Sequence, residues 1–245
     1  MEAKAIGVGM DGCRSGWLVI EFNGTQISMR KLVDLADLNL PVTQAIWIDM
    51  PIGLSTDGPE GRTCDRLARR VLSPVRHSSV FTPPCRAAVY ASREAAIATN
   101  VAHTTKKLSQ QSLNIVPKIR SLDTFLQGLD APAKDRWYEA HPEVVFAYLN
   151  DKKPLIHSKK TAAGQADRLA LLAPHVPELA TWWEQARQRY LRKEVQPDDI
   201  IDALGLAVAA YLCQSGRGEQ IGFPATAERD ATGLRMQIVA TAVNQ

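Results

Sequence analysis

The chain has 245 residues, 45% of them apolar and 22% charged, a profile that excludes disordered, collagen-like and coiled-coil architectures. That length suits one large domain with a sizeable core. A formal net charge of +3 is too small to argue for nucleic-acid binding without local clustering.

Three strand-like runs open the chain: Ala5 to Met10, Trp17 to Phe22 and Gln26 to Leu32. Asn23-Gly24 between apolar runs is a strong hairpin signal, so an antiparallel meander is expected. A short helix is expected at Val33 to Leu38. The run Ala45 to Ile48 is uniformly apolar, which suits a central strand covered on both faces. Between Asp57 and Pro84 the chain turns polar and basic. A helix from Arg62 to Leu72 and a loop from Ser73 to Pro84 are expected there, as part of an insertion or lid at about 55–110. Further helices are expected from about Arg93 to Lys107 and near Ser121 to Leu129. Trp137 to Ala140 reads as a short strand stopped by His141-Pro142. Gly164 to Leu172, a helix holding Trp182 and Trp183 and ending near Arg192, an acidic helix opening at Pro197, and elements at Ile221 to Pro224 and Met236 to Val239 complete the series. Trp182 and Trp183 suit the surface and core of an amphipathic helix rather than a base-stacking platform.

Two of the strands end in aspartate. Asp11 closes the first run and precedes Gly12-Cys13-Arg14-Ser15-Gly16, and Asp49 follows Ile48 ahead of Met50-Pro51-Ile52-Gly53. A carboxylate where a strand meets a glycine-rich turn is placed to bind a metal or a phosphate, because glycine lets a ligand approach the backbone. Far downstream, Asp198, Asp199 and Asp202 open the apolar stretch Ala203 to Cys213, and residues three and four apart share a helical face. Taken singly, Asp11 can shape a turn and Asp49 can be a loop carboxylate. Asp198 beside Pro197 suits a helix cap. Asp202 is harder to dismiss, since it sits inside an apolar helix on the face of Asp199. Together these acids supply the hard oxygen ligands that magnesium or manganese requires. Either Glu139 or Glu143 is a candidate fourth ligand, with Glu139 favoured as the end of a strand, and His141 reads as structural.

Arg66, Arg69 and Arg70 can share a face of the Arg62 to Leu72 helix, and the guanidinium fork suits phosphate oxygens, although a solvated basic face is an equal alternative. Lys159, in Ser158-Lys159-Lys160-Thr161 ahead of Gly164, is a phosphate-contact candidate but lacks Walker A spacing. Cys13, Cys64, Cys85 and Cys213 are dispersed without zinc-type spacing, implying reduced thiols. No signal-like segment is present, and no apolar run approaches the roughly 20 residues of a membrane span. A cytoplasmic location with no membrane partner is expected.

Asp11-Gly12-Cys13-Arg14-Ser15-Gly16-Trp17, Ile48-Asp49-Met50-Pro51-Ile52-Gly53-Leu54, Arg62-Thr63-Cys64-Asp65, Ser78-Ser79-Val80-Phe81, His141-Pro142-Glu143, Ser158-Lys159-Lys160-Thr161 and Asp198-Asp199-Ile200-Ile201-Asp202-Ala203 occur in an order that resembles one family. It is the domain-of-unknown-function family four-two-nine, regarded as predicted nucleases of the RNase H-like fold, and the resemblance runs from about Gly7 to about Met236. It implies a mixed sheet, an antiparallel three-strand meander plus parallel strands, flanked by helices. It further implies that the first-strand aspartate, an acid of the fourth strand and one of the last helix are metal ligands. Asp11, Asp49 and Asp199 or Asp202 match those positions. Two departures concern loops: Ser15 stands where the family more often has glycine, and a glycine usual ahead of Ser109-Gln110 is absent.

The expected activity is metal-dependent phosphodiester hydrolysis with two magnesium or manganese ions. Asp11 would bridge them, Asp49 and Asp202 would complete the set, and Asp199 or Glu139 would assist. Arg14, Arg66, Arg69 and Lys159 are the substrate-contact candidates, for a nucleic acid or a small phosphodiester. The alternatives are an actin-like phosphotransferase, which at this length would need a homodimer, and a non-catalytic nucleic-acid or nucleotide-binding module.

Overall fold

The computed structural model describes residues 5–41 and 44–244. The order is β1 (Gly7–Cys13), β2 (Gly16–Phe22), β3 (Ile27–Leu32), β4 (Ile46–Asp49), α1 (Thr63–Val71), α2 (Arg86–Tyr90), α3 (Ala96–Thr104), α4 (Gln110–Gln127), α5 (Ala131–Asp135), β5 (Trp137–Glu139), α6 (Pro142–Leu149), α7 (Ala162–Leu172), α8 (Leu179–Arg189), α9 (Pro197–Gln214), β6 (Gly218–Arg229) and β7 (Arg235–Val243). They build a seven-stranded sheet of order β3-β2-β1-β4-β5-β7-β6. β1, β2 and β3 form the expected antiparallel meander. β4, β5 and β7 continue parallel to β1, and β6 closes the far edge antiparallel to β7. This arrangement is consistent with the RNase H-like fold. Among the described residues no helix is long and apolar enough to cross a membrane.

Alternation along the strands sends side chains to two helical layers. Val8, Met10, Trp17 and Val19 pack with Ile119, Leu122 and Leu126 of α4. On the opposite face Leu18, Ile20 and Phe22 pack with Ala203, Leu204, Ala207 and Val208 of α9 and with Leu179 and Trp183 of α8. Trp183 thus enters the core while Trp182 packs on its margin.

Gly7 and Gly9 occupy the α9 face of β1, and a Cβ on either would lie 2.0 Å from a helix carbonyl, that of Ala207 or Ala203. The helix therefore rests on bare backbone. Four helical residues rise about 6 Å and two strand residues about 6.6 Å, so the Gly7–Ala207 and Gly9–Ala203 contacts keep step. Continued by one repeat, the step brings the first turns of α9 beside Asp11.

Three sequence expectations change. The segment Val33 to Leu38 is a single 3-10 turn at Leu35–Asp37 rather than a helix. The helix expected near Ser121 begins eleven residues earlier, at Gln110, and runs through Pro117. Proline cannot donate to the Leu113 carbonyl one turn back, and the Arg93 guanidinium supplies a donor to that oxygen instead, at 3.4 Å. His141-Pro142 ends the β5 region as expected but also starts α6, with proline at a first-turn position where its missing N–H costs nothing.

Candidate metal centre

Asp11 and Asp49 are register partners on the adjacent parallel strands β1 and β4, so the pleat turns both side chains to one face. Asp202 of α9 meets them there, and a carboxylate oxygen from each of the three lies within 4.8 Å of the others. Asp11 and Asp202 are buried and Asp49 is half-buried. Burial pushes the Asp11 carboxyl well above the usual carboxylate range, helped by Asp49 and Asp202 alongside. Asp49 is pushed up to about 7, again chiefly by burial, against the pull of the Lys159 ammonium.

Lys159 is the cation within this group, and its Nζ pairs with Asp202 Oδ2. Burial opposes its charge, but Asp202, Asp49 and Asp11 outweigh that and hold the ammonium more firmly protonated than usual. The loop that delivers it is fixed from behind. Gly164 in the first turn of α7 lets the Ser158 carbonyl approach to where a Cβ would stand 2.0 Å away, and the Thr161 hydroxyl accepts from the Gly164 N–H at 3.1 Å. These residues thus form a helix cap that places Lys159, rather than a phosphate loop.

One ammonium leaves three clustered carboxylates under-compensated. The other oxygen of Asp202, Oδ1, is buried without a hydrogen-bond partner, an arrangement that costs free energy unless a proton or cation meets it. The donor set of hard carboxylate oxygens fits a divalent cation.

Asp199 lines the cavity that Asp11 and Asp49 open into and also caps its own helix, where its Oδ2 accepts from the Gln196 N–H at 2.8 Å. The capping expected of Asp198 is therefore performed by Asp199, whose carboxyl burial raises to about 6. Glu139 lies outside the converging group. Both of its oxygens receive the Arg62 guanidinium, at 2.7 Å each, and Oε2 also accepts from the Ile52 N–H at 2.8 Å. Arg62 reaches Asp65 as well, so this cluster buckles α1 and β5 to the loop after β4.

The basic residues separate in the same way. Arg66 donates to the carbonyls of Glu60 and Gly61 and to the Thr63 hydroxyl. Arg69 donates to the Val80 carbonyl and the Thr82 hydroxyl, and Arg76 to the Leu155 carbonyl. Arg69 and Arg76 hold the segment that carries Ser78, Ser79 and Phe81, Arg66 holds the turn that enters α1, and none of the three lines the cavity. Arg14 is exposed on the β1–β2 turn.

Around the acids is a cavity of about 360 Å³, walled by Ser78, Ser79, Phe81, Gln111, Ile115 and His141 among others. His141 donates to the Ser79 carbonyl through Nε2 at 3.3 Å, and burial lowers its pKa below the ordinary value. Glu143 also lines the cavity. Its Oε1 accepts from Arg168 at 2.6 Å, while Oε2 is buried without a partner. The fully buried Arg168 binds the Gly164 and His157 carbonyls too, joining α6 to the Lys159 loop. Reading the sequence missed Arg168; its signal is a lone arginine on the inward side of an otherwise apolar helix face.

A family model described as protein of unknown function (DUF429) matches residues 9–229. No curated protein and no solved structure matches the chain.

Proposed function

We propose, for a chain that belongs to the DUF429 family of proteins of unknown function, the activity of a metal-dependent phosphodiesterase acting on nucleic acid or a related phosphodiester. The observation that carries this reading is the meeting of Asp11, Asp49 and Asp202 within 4.8 Å. Magnesium or manganese is the cation class that such oxygen donors favour. Asp11, Asp49 and Asp202 would hold it, with Asp199 at the margin, and two such ions would supply an activated water and charge neutralisation at the leaving oxygen.

The chain's own contribution is positional. Asp11 and Asp49 are fixed by strand register, and Asp202 by a helix seated on glycine backbone. Lys159 tempers the mutual repulsion of the acids. Ser78 and Lys159 offer donors to phosphate oxygens on the cavity wall, while Phe81 and Ile115 keep part of it apolar. The test is cleavage of a nucleic-acid panel with and without magnesium. Asp11→Asn should abolish the magnesium-dependent product, and cleavage equal to that of the unaltered protein would refute the assignment.

A metal-free binding module is the second reading, and the ion pair between Lys159 and Asp202 is what supports it. In that case manganese would leave the thermal stability of the protein unchanged.

A further inference from the structure

A second cavity, of about 230 Å³, adjoins the acidic one. The two share Phe81 as a wall, and the first turns of α4 border both: Ser109 and Ser112 face the second, Gln111 and Ile115 the first. Its character is the reverse of its neighbour's. Lys106 and Lys107 line it together with hydroxyls of Ser55, Thr82, Ser109 and Ser112, and among the described residues no acid stands in its wall.

The lysine loop is held in place by a buried side chain. Asn100 is 3% exposed; its Nδ2 donates to the Lys106 carbonyl at 2.8 Å and to the Thr104 hydroxyl at 3.0 Å, while its Oδ1 accepts from the Cys85 N–H at 2.9 Å. Thr105 sits in the left-handed region at φ 62°, which turns the chain sharply from α3 into the lysines. A strained, hub-anchored turn that presents two cations beside a ring of hydroxyls is a fixed feature rather than a loose basic tail.

We infer that this cavity is a subsite for a neighbouring phosphate of the substrate, and therefore that the substrate is a nucleic-acid strand rather than an isolated phosphodiester. The inference rests on the phosphodiesterase reading for the acidic cavity. With the reacting phosphate at the carboxylates, the strand passes Phe81, whose half-buried ring offers a face to a base, and the next backbone charges reach Lys106 and Lys107. Ammonium groups pair with phosphate as point charges, and hydroxyls complete the oxygen contacts.

The experiment measures binding of a short fluorescein-labelled single-stranded oligonucleotide by anisotropy, in EDTA, across a salt series. The variants are Lys106→Ala/Lys107→Ala and a control, Lys152→Ala/Lys153→Ala, whose exposed lysines follow the C-terminal end of α6. The first pair should weaken binding about tenfold or more and reduce the slope of log affinity against log salt by about 1.4, at about 0.7 for each single-strand phosphate left without its lysine. The control should change neither. Equal weakening in both pairs, an unchanged slope in the first, or no binding by the unaltered protein would overturn the inference. Manganese-induced thermal stabilisation, read on the same Lys106→Ala/Lys107→Ala protein, reports the acidic cavity separately: it should persist, and its absence from the unaltered protein would sink the phosphodiesterase reading instead.

Discussion

Replacing Asp49 with asparagine separates the cost of gathering the acids from the benefit of a bound cation. Asp49 is carried from an ordinary 3.8 to about 7 by folding. A carboxyl raised in this way favours the folded state fully below the unfolded value and loses that contribution as pH rises through the folded one. At 1.36 kcal/mol per pKa unit the loss is about 4 kcal/mol, spread between about pH 4 and pH 7. In a chain of this size about 2–4 °C of melting temperature accompanies each kcal/mol, so the metal-free protein should lose about 8–16 °C over that interval through this group. Asparagine removes the titration. Thermal melts in EDTA should therefore fall less steeply with pH for Asp49→Asn than for the unaltered protein. At pH 8, a divalent ion at a hundred times its dissociation constant returns about 2.7 kcal/mol. Manganese should thus raise the melting temperature of the unaltered protein by about 5–10 °C and that of the variant by much less. Parallel pH curves in EDTA, or equal manganese shifts, would refute the reasoning.

Gly9→Ala should cost about 3 kcal/mol or more in urea denaturation, because the new methyl meets the Ala203 carbonyl and α9 must lift from β1; the manganese response should shrink with it as Asp202 withdraws. Arg62→Met leaves Asp65 and Glu139 buried without their partner, a loss of about 3–5 kcal/mol by the same assay, and adding Asp65→Asn with Glu139→Gln should recover much of it. Lys159→Met removes the internal competitor for Asp202, so manganese should bind more tightly at pH 8 in titration calorimetry. A weaker association would show that the lysine supports the cation instead of displacing it.

The acids were legible because each breaks a pattern. Asp11 and Asp49 close apolar runs just before glycine or proline, and Asp202 is a charge within an apolar helix. Their meeting could be anticipated from a sheet order that joins β1 to β4 directly. Lys159 was visible as a basic residue but not as a member of the acid group, since 43 residues separate it from Asp202 and no local period connects them. The arginines are ambiguous for a chemical reason: a guanidinium fork that fits phosphate fits backbone carbonyls as well, and Arg66 and Arg69 bond carbonyls here. Glu139 was correctly placed at a strand end, yet a strand end does not disclose that an arginine 77 residues away will occupy both its oxygens. The first half of α4 was hidden by Pro117, whose vacancy in the helical ladder is filled by Arg93 from the turn between α2 and α3.

The bracing of residues 78–82 by Arg69 and Arg76 gives the cavity a fixed lintel. Because guanidiniums clasp it on both flanks, the width of the doorway is settled when the chain folds, before any ligand arrives. Such an opening selects by rejecting what does not fit rather than by closing over what does.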